Sequence, residues 1–243
     1  MTIMISENIA QVQKNIEQAC ERAGRNPNTV TLIAVSKTHS PEAVLEAIAA
    51  GAQHFGENRV EEASIKIPAV TSQISTPVTW HMIGHIQSRK ARDVVPLFSV
   101  IQSVDSLKLA NKLSSSAVEQ NRQLGILLEV NISGEESKDG VQAFGWRNNA
   151  ARFQELVNVI HQIMDLPALH LRGLMTMAPI VETMEQTRPI FADLAALQDA
   201  LQQSLGIALP ELSMGMTDDY PVAVEEGATM VRVGRAIFGN RVK

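Results

Sequence analysis

The stretch Thr31-Leu-Ile-Ala-Val-Ser-Lys-Thr38 decides the fold prediction. Its first five residues are mostly aliphatic or β-branched and predict a short buried strand over Thr31–Val35. The polar residues 36–38 end that strand, and Ser40 followed by Pro41 is typical of the first turn of a helix. This part of the chain therefore predicts one unit of strand, polar loop and helix.

The same unit recurs along the chain. Further strands are predicted at residues 54–56, 79–83, 100–104, 126–132, 169–177, 211–214 and 230–233. Helical periodicity is found at residues 106–121, 147–164 and 182–204, and apolar positions from Ile5 to Ala19 predict a helix before the first strand. Eight strands alternating with helices predict an α/β fold, a single (β/α)8 TIM barrel with an extra N-terminal helix. A doubly wound open sheet is the alternative, which the strand count disfavours.

Length and composition indicate one domain over residues 1–243. The chain is 45% hydrophobic and 19% charged, and a chain of this length buries roughly 70–75% of its unfolded surface without disulfides. Its single cysteine, Cys20, excludes an internal disulfide and a cysteine-rich metal cluster. The net charge is -5 and the basic residues are dispersed, which argues against a nucleic-acid partner. Because the sequence has neither an apolar run of about 18 residues nor a signal segment, we expect no membrane partner and a cytoplasmic location.

In a barrel, the active site lies at the C-terminal ends of the strands. Lys37 follows the first predicted strand and Asn58 follows the second. A lysine at the end of an apolar strand is partly desolvated, which lowers the pKa of its amine and allows the amine to attack an aldehyde. The alternative is a structural lysine whose stem lies along the apolar surface while its charge reaches water.

Two later strand ends predict an anion site. Ser213-Met214-Gly215 and Arg232-Val-Gly234-Arg235 each combine a strand end with a glycine, which lets backbone N–H groups approach an anion closely. In TIM barrels a phosphate site is frequently built from the loops after strands seven and eight. His81 and His85 have a spacing that suits a metal on a helix, but Gly84 and the strand pattern argue against a helix there, so we predict no metal.

A series of motifs spread over the whole chain resembles the pyridoxal phosphate homeostasis proteins, also called the YggS/PROSC family. The motifs are Ala34-Val-Ser-Lys37-Thr, Phe55-Gly-Glu-Asn58-Arg-Val-Glu-Glu, Trp80-His-Met-Ile-Gly-His-Ile-Gln, Val130-Asn-Ile-Ser with Lys138-Asp-Gly140, Gly173-Leu-Met-Thr-Met-Ala-Pro179, Leu212-Ser-Met-Gly-Met-Thr-Asp-Asp and Gly227-Ala-Thr-Met-Val-Arg232-Val-Gly-Arg-Ala-Ile-Phe-Gly239. The resemblance implies a barrel similar to the N-terminal domain of alanine racemase, which is the fold-type III architecture of pyridoxal 5'-phosphate (PLP) proteins.

The resemblance also implies a role for each candidate residue. Lys37 falls on the lysine that forms an aldimine with PLP, and Asn58 on a pocket-lining asparagine. Arg232 falls on the arginine that faces the pyridine nitrogen. The segments Ser213-Met214-Gly215 and Gly234-Arg235 fall where the family holds the phosphate, through the serine hydroxyl and backbone amides. Thr217 stands where serine is common in the family, and threonine keeps the hydroxyl.

The function implied by the resemblance is to hold PLP as a reversible Schiff base and to take part in intracellular vitamin B6 homeostasis and PLP supply to apo-enzymes. An arginine opposite the pyridine nitrogen supports carbanion chemistry poorly, so we expect a carrier rather than an enzyme. One alternative is a PLP-dependent amino-acid racemase, which needs a second base, with His81 the nearest candidate. Another is an aldolase that forms a Schiff base with a phosphorylated sugar. We expect a monomer, because a barrel needs no partner to close. Residues 142–149 predict a longer loop than the family has.

Overall fold

The computed structural model describes residues 4–239, so the predicted domain of residues 1–243 is described without its first three and last four residues. The strands are β1 (Thr31–Val35), β2 (His54–Glu57), β3 (Thr79–Met82), β4 (Val100–Val104), β5 (Leu124–Asn131), β6 (Val141–Gln142), β7 (Leu169–Met175), β8 (Glu211–Met216) and β9 (Met230–Val233). All eight predicted strands are present, with ends within two residues of the predicted ones. The short strand β6 lies inside the segment predicted as a loop.

The α-helices are α1 (Ile5–Arg22), α2 (Pro41–Ala49), α3 (Val60–Thr71), α4 (Ala91–Val94), α5 (Leu107–Glu119), α6 (Ala150–Met164), α7 (Arg188–Leu205), α8 (Tyr220–Glu225) and α9 (Arg235–Phe238). Short 3-10 helices cover Pro27–Thr29, Ser88–Lys90, Trp146–Asn148 and Met184–Thr187. In the part of the chain that the structure describes, no helix has both the length and the apolar character needed to cross a membrane.

Two helices begin later than the sequence predicted. The side chain of Asn149 accepts a hydrogen bond from the N–H of Arg152 at 3.1 Å, and this cap starts α6 at Ala150 rather than at residue 147. Met184–Thr187 form a 3-10 turn capped by Thr183 before α7, which has Pro189 in its first turn. At α6 the capping residue Asn149 separates the preceding turn from the helix. At α7 the capping residue Thr183 precedes the 3-10 turn, and the turn continues directly into the helix without a side-chain cap between them.

Over residues 4–239, eight parallel strands close into a barrel. The strand order is β4-β3-β2-β1-β9-β8-β7-β5, and β4 also pairs with β5, which closes the ring. The predicted TIM barrel is therefore confirmed and the open sheet was the wrong alternative. The first and last strands are neighbours, with Ile33 of β1 in register with Arg232 of β9. The short β6 pairs with β5 alone, Val130 with Val141.

Alternate residues of each strand face the helices or the barrel interior. The outward-facing residues join the helices in one large hydrophobic core, whereas the interior holds a separate small apolar cluster of Ile33, Leu127, Met175 and Met230. Polar side chains occupy other interior positions, among them His81, Gln102, Ser213 and Arg232, all buried. The interior thus combines an apolar plug with a group of polar side chains.

Helix α1 lies against the last helices of the chain. The Asn8 side chain donates a hydrogen bond to the carbonyl of Ile237 in α9 at 2.8 Å, and the Asn15 side chain donates one to the Tyr220 hydroxyl at 2.8 Å. Arg22 forms an ion pair with Glu225 at 2.6 Å. The extra N-terminal helix is therefore a structural link between the two ends of the described chain.

Candidate functional site

A cavity of about 590 Å³ opens at the C-terminal ends of β1, β2, β8 and β9. Five of the residues predicted for the site line it: Lys37, Asn58, Arg232, Gly234 and Arg235. This volume lies in the usual range of small-molecule sites, and its position is that of TIM-barrel active sites. The structure therefore brings residues from opposite ends of the sequence to one cavity.

A buried ion pair holds the backbone immediately before Lys37. The Lys66 ammonium donates hydrogen bonds to the carbonyl of Ser36 at 2.7 Å and to Glu57 Oε1 at 2.8 Å. The Ser36 hydroxyl donates to the same Glu57 oxygen at 2.6 Å. Lys66 and Glu57 are 4% and 0% exposed, so this pair is fixed in the protein interior rather than solvated.

The residue after Lys37 is held by the same cluster. Glu62 Oε1 accepts a hydrogen bond from the Lys66 ammonium at 2.5 Å and another from the N–H of Thr38 at 2.6 Å. Thr38 has a φ of 67°, in the left-handed region that few non-glycine residues adopt. We call Ser36, Glu57, Glu62 and Lys66 the Lys66 cluster. Its contacts on both sides of Lys37 fix the point where that side chain leaves the backbone.

Arg232 is an almost completely buried cation at the base of the cavity. Its guanidinium donates to the Ser213 hydroxyl at 2.6 Å and to the carbonyl of Thr176 at 2.9 Å. Burial lowers the pKa of Arg232 to about 10, and the carboxylates of Glu129 and Asp219 offset part of that effect. The guanidinium therefore stays protonated near neutral pH and can only donate hydrogen bonds.

The predicted segment Ser213-Met214-Gly215 lies behind the cavity wall. The Ser213 hydroxyl accepts from Arg232 and donates to Gln102 Oε1 at 2.7 Å, and the serine is completely buried. Met214 is also completely buried, within the large core. Gly215 has a φ of 91°, and a Cβ there would lie 2.5 Å from the Cβ of Ala223. None of these three residues is among those that line the cavity.

Residues just beyond that segment line the cavity instead. They are Met216, Thr217 and Asp218, and the N–H of Gly234 donates to Thr217 Oγ1 at 3.4 Å. Asp218 pairs with the Arg235 guanidinium. Thr217 had a signal in the sequence, because it places a hydroxyl at a strand end. The other lining residues are Val35, His39, Ile83, Met177, Ile180 and Gly239, of which Ile83 and Met177 lie at strand ends that the sequence marked as candidates for the site.

The two histidines considered for a metal lie in different surroundings. His81 is buried in the barrel interior, and both of its ring nitrogens have hydrogen-bond partners. His85 Nδ1 lies 3.2 Å from Asp105 Oδ2 and 3.3 Å from Asp139 Oδ2. The spacing of His81 and His85 in the sequence did not predict that these two carboxylates would lie beside His85. The ligand atoms of these three residues lie within 4.8 Å of one another, and His85 and Asp139 are exposed. We assign no metal to this cluster of His85, Asp105 and Asp139.

The segment of residues 142–149 is attached to α7. Trp146 Nε1 donates to Asp193 Oδ1 at 3.1 Å, and Arg147 Nε donates to the same oxygen at 2.7 Å. Phe144 is exposed. Beyond β6, this part of the predicted loop is therefore a short structured connection with one exposed aromatic ring.

The donor set of the cavity suits an anionic aromatic aldehyde. It offers a primary amine (Lys37), a buried guanidinium (Arg232), a side-chain amide (Asn58), and a hydroxyl beside a backbone N–H (Thr217 and Gly234). At Gly234 a Cβ would lie 3.2 Å from the carbonyl oxygen of Val35, so a side chain there would crowd β1. An amine for a carbonyl carbon and neutral donors for an anion are the groups that PLP requires.

Comparison with known proteins gives consistent relatives over the whole chain. Residues 8–242 match the family described as "Alanine racemase, N-terminal domain". Proteins named pyridoxal phosphate homeostasis protein are 42% identical in Pseudomonas aeruginosa, covering 98% of this chain and 96% of that protein, and 38% identical in Aquifex aeolicus, covering 97% of each. PipY of Synechococcus elongatus is 38% identical and has been solved without PLP and with PLP bound, with TM-scores of 0.82 and 0.80. The match covers 97% of this chain and 100% of PipY.

Proposed function

The chain belongs to the alanine racemase N-terminal domain family and, within it, groups with the pyridoxal phosphate homeostasis proteins, and on that premise we propose how it works. It binds PLP, holds it as a reversible Schiff base and takes part in PLP homeostasis. The fold is the fold-type III PLP barrel implied by the sequence motifs. The observation that carries the proposal is the convergence of Lys37, Arg232 and the Thr217–Gly234 pair on one cavity.

PLP supplies an aldehyde carbon that condenses reversibly with a primary amine. Lys37 provides that amine, and the contacts of the Lys66 cluster on either side of Lys37 keep its backbone in one position. Because the point of attachment is fixed by buried ionic contacts, little backbone freedom remains to be lost when Lys37 reacts.

The other cavity residues bind and orient the ligand. Arg232 can only donate hydrogen bonds, so it suits an unprotonated ring nitrogen. The Thr217 hydroxyl and the N–H of Arg235 can donate to phosphate oxygens, and the N–H of Gly234 can do so in place of its long hydrogen bond to Thr217 Oγ1 at 3.4 Å. Asn58 lines one side of the cavity. The sequence-based assignment of the phosphate to the hydroxyl of Ser213 remains a prediction, although that hydroxyl already donates to Gln102.

We propose a carrier rather than an enzyme. The racemase alternative needs a second base, and its candidate His81 is buried in the interior with both ring nitrogens in hydrogen bonds. The chain's one tyrosine, Tyr220, accepts a hydrogen bond from Asn15 on the outer side of the barrel. A donor-only partner for the ring nitrogen also leaves the ring a weak electron sink. Delivery of PLP to apo-enzymes by a monomeric protein fits this binding mode.

The test is a titration of the purified protein with PLP, followed by visible absorption, borohydride reduction and peptide mapping. We expect a band that disappears on reduction and leaves a pyridoxyl group on Lys37. Lys37→Ala should lose the reducible band, whereas Lys112→Ala, which replaces an exposed lysine of α5, should retain it. A reducible adduct on a different lysine would overturn the assignment of Lys37, and the absence of any band at saturating PLP would overturn the proposed function.

A further inference from the structure

A connected series of polar side chains crosses the barrel interior, from Arg232 at the base of the cavity to the opposite end of the barrel. Each neighbouring pair is joined by one hydrogen bond. The members, in order, are Arg232, Ser213, Gln102, His81 and His54. We call these five residues the interior chain. They come from β9, β8, β4, β3 and β2, so the interior chain forms only when the barrel is closed.

The upper half of the interior chain has one possible arrangement of protons. Arg232 can only donate, so Ser213 Oγ accepts from it at 2.6 Å and must direct its own proton elsewhere. That proton is donated to Gln102 Oε1 at 2.7 Å. The side-chain oxygen of Gln102 therefore faces Ser213 and its NH2 group faces His81.

The lower half follows from the upper half. Gln102 Nε2 lies 3.0 Å from His81 Nδ1 and donates to it, so the neutral imidazole carries its proton on Nε2. His81 Nε2 lies 3.0 Å from His54 Nδ1, which must accept. Burial lowers the pKa of His81 to about 3, in accord with a neutral ring. Every hydrogen bond therefore points from Arg232 toward His54.

The far end of the interior chain lies at the N-terminal mouth of the barrel. His54 is the first residue of β2 and is half-buried. It lines a cavity of about 470 Å³ together with Thr31, Leu32 and Gln53, which are at or near the starts of β1 and β2. His54 is thus separated from the cavity that contains Lys37 by the polar interior of the barrel.

We propose that Gln102 and His81 are positioning residues for Arg232, and that the acceptor nitrogen of His54 anchors them. A serine hydroxyl has one proton, and because Gln102 accepts that proton, the hydroxyl is held in the orientation that directs a lone pair at Arg232. Gln102 in turn keeps its oxygen toward Ser213 because His81 accepts from its NH2 group. The inference rests on the proposed function, since Arg232 is the residue that would face the ring of PLP.

The first test needs no PLP. Imidazole 15N spectra of the ligand-free protein at pH 7.5 should show His81 and His54 as neutral rings protonated on Nε2. In His54→Ala the His81 ring loses its acceptor, and its Nε2–H resonance should shift. A His81 ring protonated on Nδ1, or a His81 signal identical in the wild-type protein and His54→Ala, would overturn the proposal.

The second test measures PLP binding. His54→Ala should raise the dissociation constant for PLP about threefold or more and shift the absorption band of the bound ligand. His170→Ala is the matched control, because His170 lies near the start of β7 at the same mouth, is exposed and lies outside the interior chain. Equal effects of the two substitutions, or no effect of His54→Ala, would contradict the proposal.

A double-mutant cycle tests whether Gln102 and His81 of the interior chain act together on PLP binding. Gln102→Leu and His81→Leu should each weaken PLP binding about tenfold, and the double variant should bind no more than about twofold more weakly than the weaker single variant. Additive losses would contradict a shared action through Arg232. The spectra of the ligand-free protein remain decisive if a core variant does not fold. Failure of the wild-type protein to bind PLP would overturn the proposed function and leave the proton arrangement to be judged by those spectra.

Discussion

Lys66 is the buried charge on which the geometry around Lys37 depends. Its ammonium is shared by Glu57, Glu62 and the carbonyl of Ser36, and Glu57 Oε2 is a buried atom without a hydrogen-bond partner. Burial raises the pKa of Glu57, and the hydrogen bonds from Lys66 and Ser36 offset part of that rise. A buried carboxylate in this setting tolerates the loss of its cation poorly.

We predict that Lys66→Met lowers the free energy of unfolding by about 3 kcal/mol, because it leaves Glu57 buried without its counter-charge. Lys90→Met is the matched control. Lys90 pairs with Glu61 at 3.0 Å and is 36% exposed, so its loss should cost less than about 1 kcal/mol. Urea unfolding of the two variants measures the difference, and equal costs would contradict the importance of burial.

Glu129 gives a prediction that depends on pH. It is 4% exposed, and burial raises its pKa to about 7, with Arg232 offsetting part of the rise. Between the ordinary glutamate pKa and this value, the folded protein keeps a proton that the unfolded chain releases. The contribution of Glu129 to stability is therefore full at low pH and falls as pH rises to about 7.

Glu129→Gln should therefore stabilise the ligand-free protein at pH 8, by up to about 3 kcal/mol, and have little effect at pH 4. The amide matches the protonated carboxyl in shape and never ionises. Urea unfolding at both pH values checks the prediction. A gain of equal size at the two pH values would show that the effect comes from packing rather than from ionisation.

At the residue scale, the sequence predicts some site residues better than others. Lys37 lies two residues beyond the end of β1 and Arg232 is the next-to-last residue of β9, so a strand pattern places each of them, and both line the cavity. The hydrogen bonds of Ser213 depend on Gln102, which is 111 positions away, so the sequence near Ser213 gives no sign that its hydroxyl is engaged. Thr217 lies four residues later and lines the cavity because Gly215 turns the chain with a positive φ.

At the element scale, strands β7 and β8 approach each other unusually closely. Gly173 of β7 is in register with Glu211 of β8, and a Cβ on Gly173 would lie 1.7 Å from the carbonyl oxygen of Glu211. That oxygen belongs to the backbone of a barrel strand and cannot move without shifting β8. Strand β8 ends at the cavity residue Met216, and the cavity residue Thr217 follows it.

We predict that Gly173→Ala lowers the free energy of unfolding by more than about 4 kcal/mol, since backbone cannot yield as a side chain can. Gly125→Ala on the neighbouring strand β5 is the control. There the new Cβ would lie 2.8 Å from Cδ of Arg172, a flexible side chain, and the cost should be less than about 2 kcal/mol. Thermal unfolding ranks the two, and the reverse order would contradict this account.

Several of the elements that the sequence analysis did not name are short and have no periodic signal. The strand β6 has two residues and one partner strand, so no alternation of polar and apolar residues marks it. The helices α4 and α9 have four residues each, which is about one turn. Short apolar runs, by contrast, predicted all eight barrel strands, and long periodic segments predicted the long helices α1, α5, α6 and α7. Short elements are fixed by their neighbours in the fold rather than by their own sequence.

At the scale of the whole molecule, α1 bears on the cavity from outside. Asn8 donates to the carbonyl of Ile237, which belongs to the short helix that follows the cavity residue Gly234. We predict that Asn8→Ala weakens PLP binding about threefold while changing the free energy of unfolding by about 1 kcal/mol. Gln18→Ala on an exposed position of α1 should change neither. An unchanged PLP dissociation constant for Asn8→Ala would show that α1 does not act on the cavity.

The pairing of β1 with β9 has a consequence for how the protein is made. Ile33, close to Lys37, is in register with Arg232, so Lys37 and Arg232 come to line one cavity only when that last pair of strands has formed. On the ribosome, Lys37 is added to the nascent chain long before Arg232. The nascent chain cannot assemble the cavity until β9 has emerged, however much PLP surrounds it. Capture of the cofactor is therefore restricted to chains whose synthesis has passed the final strand.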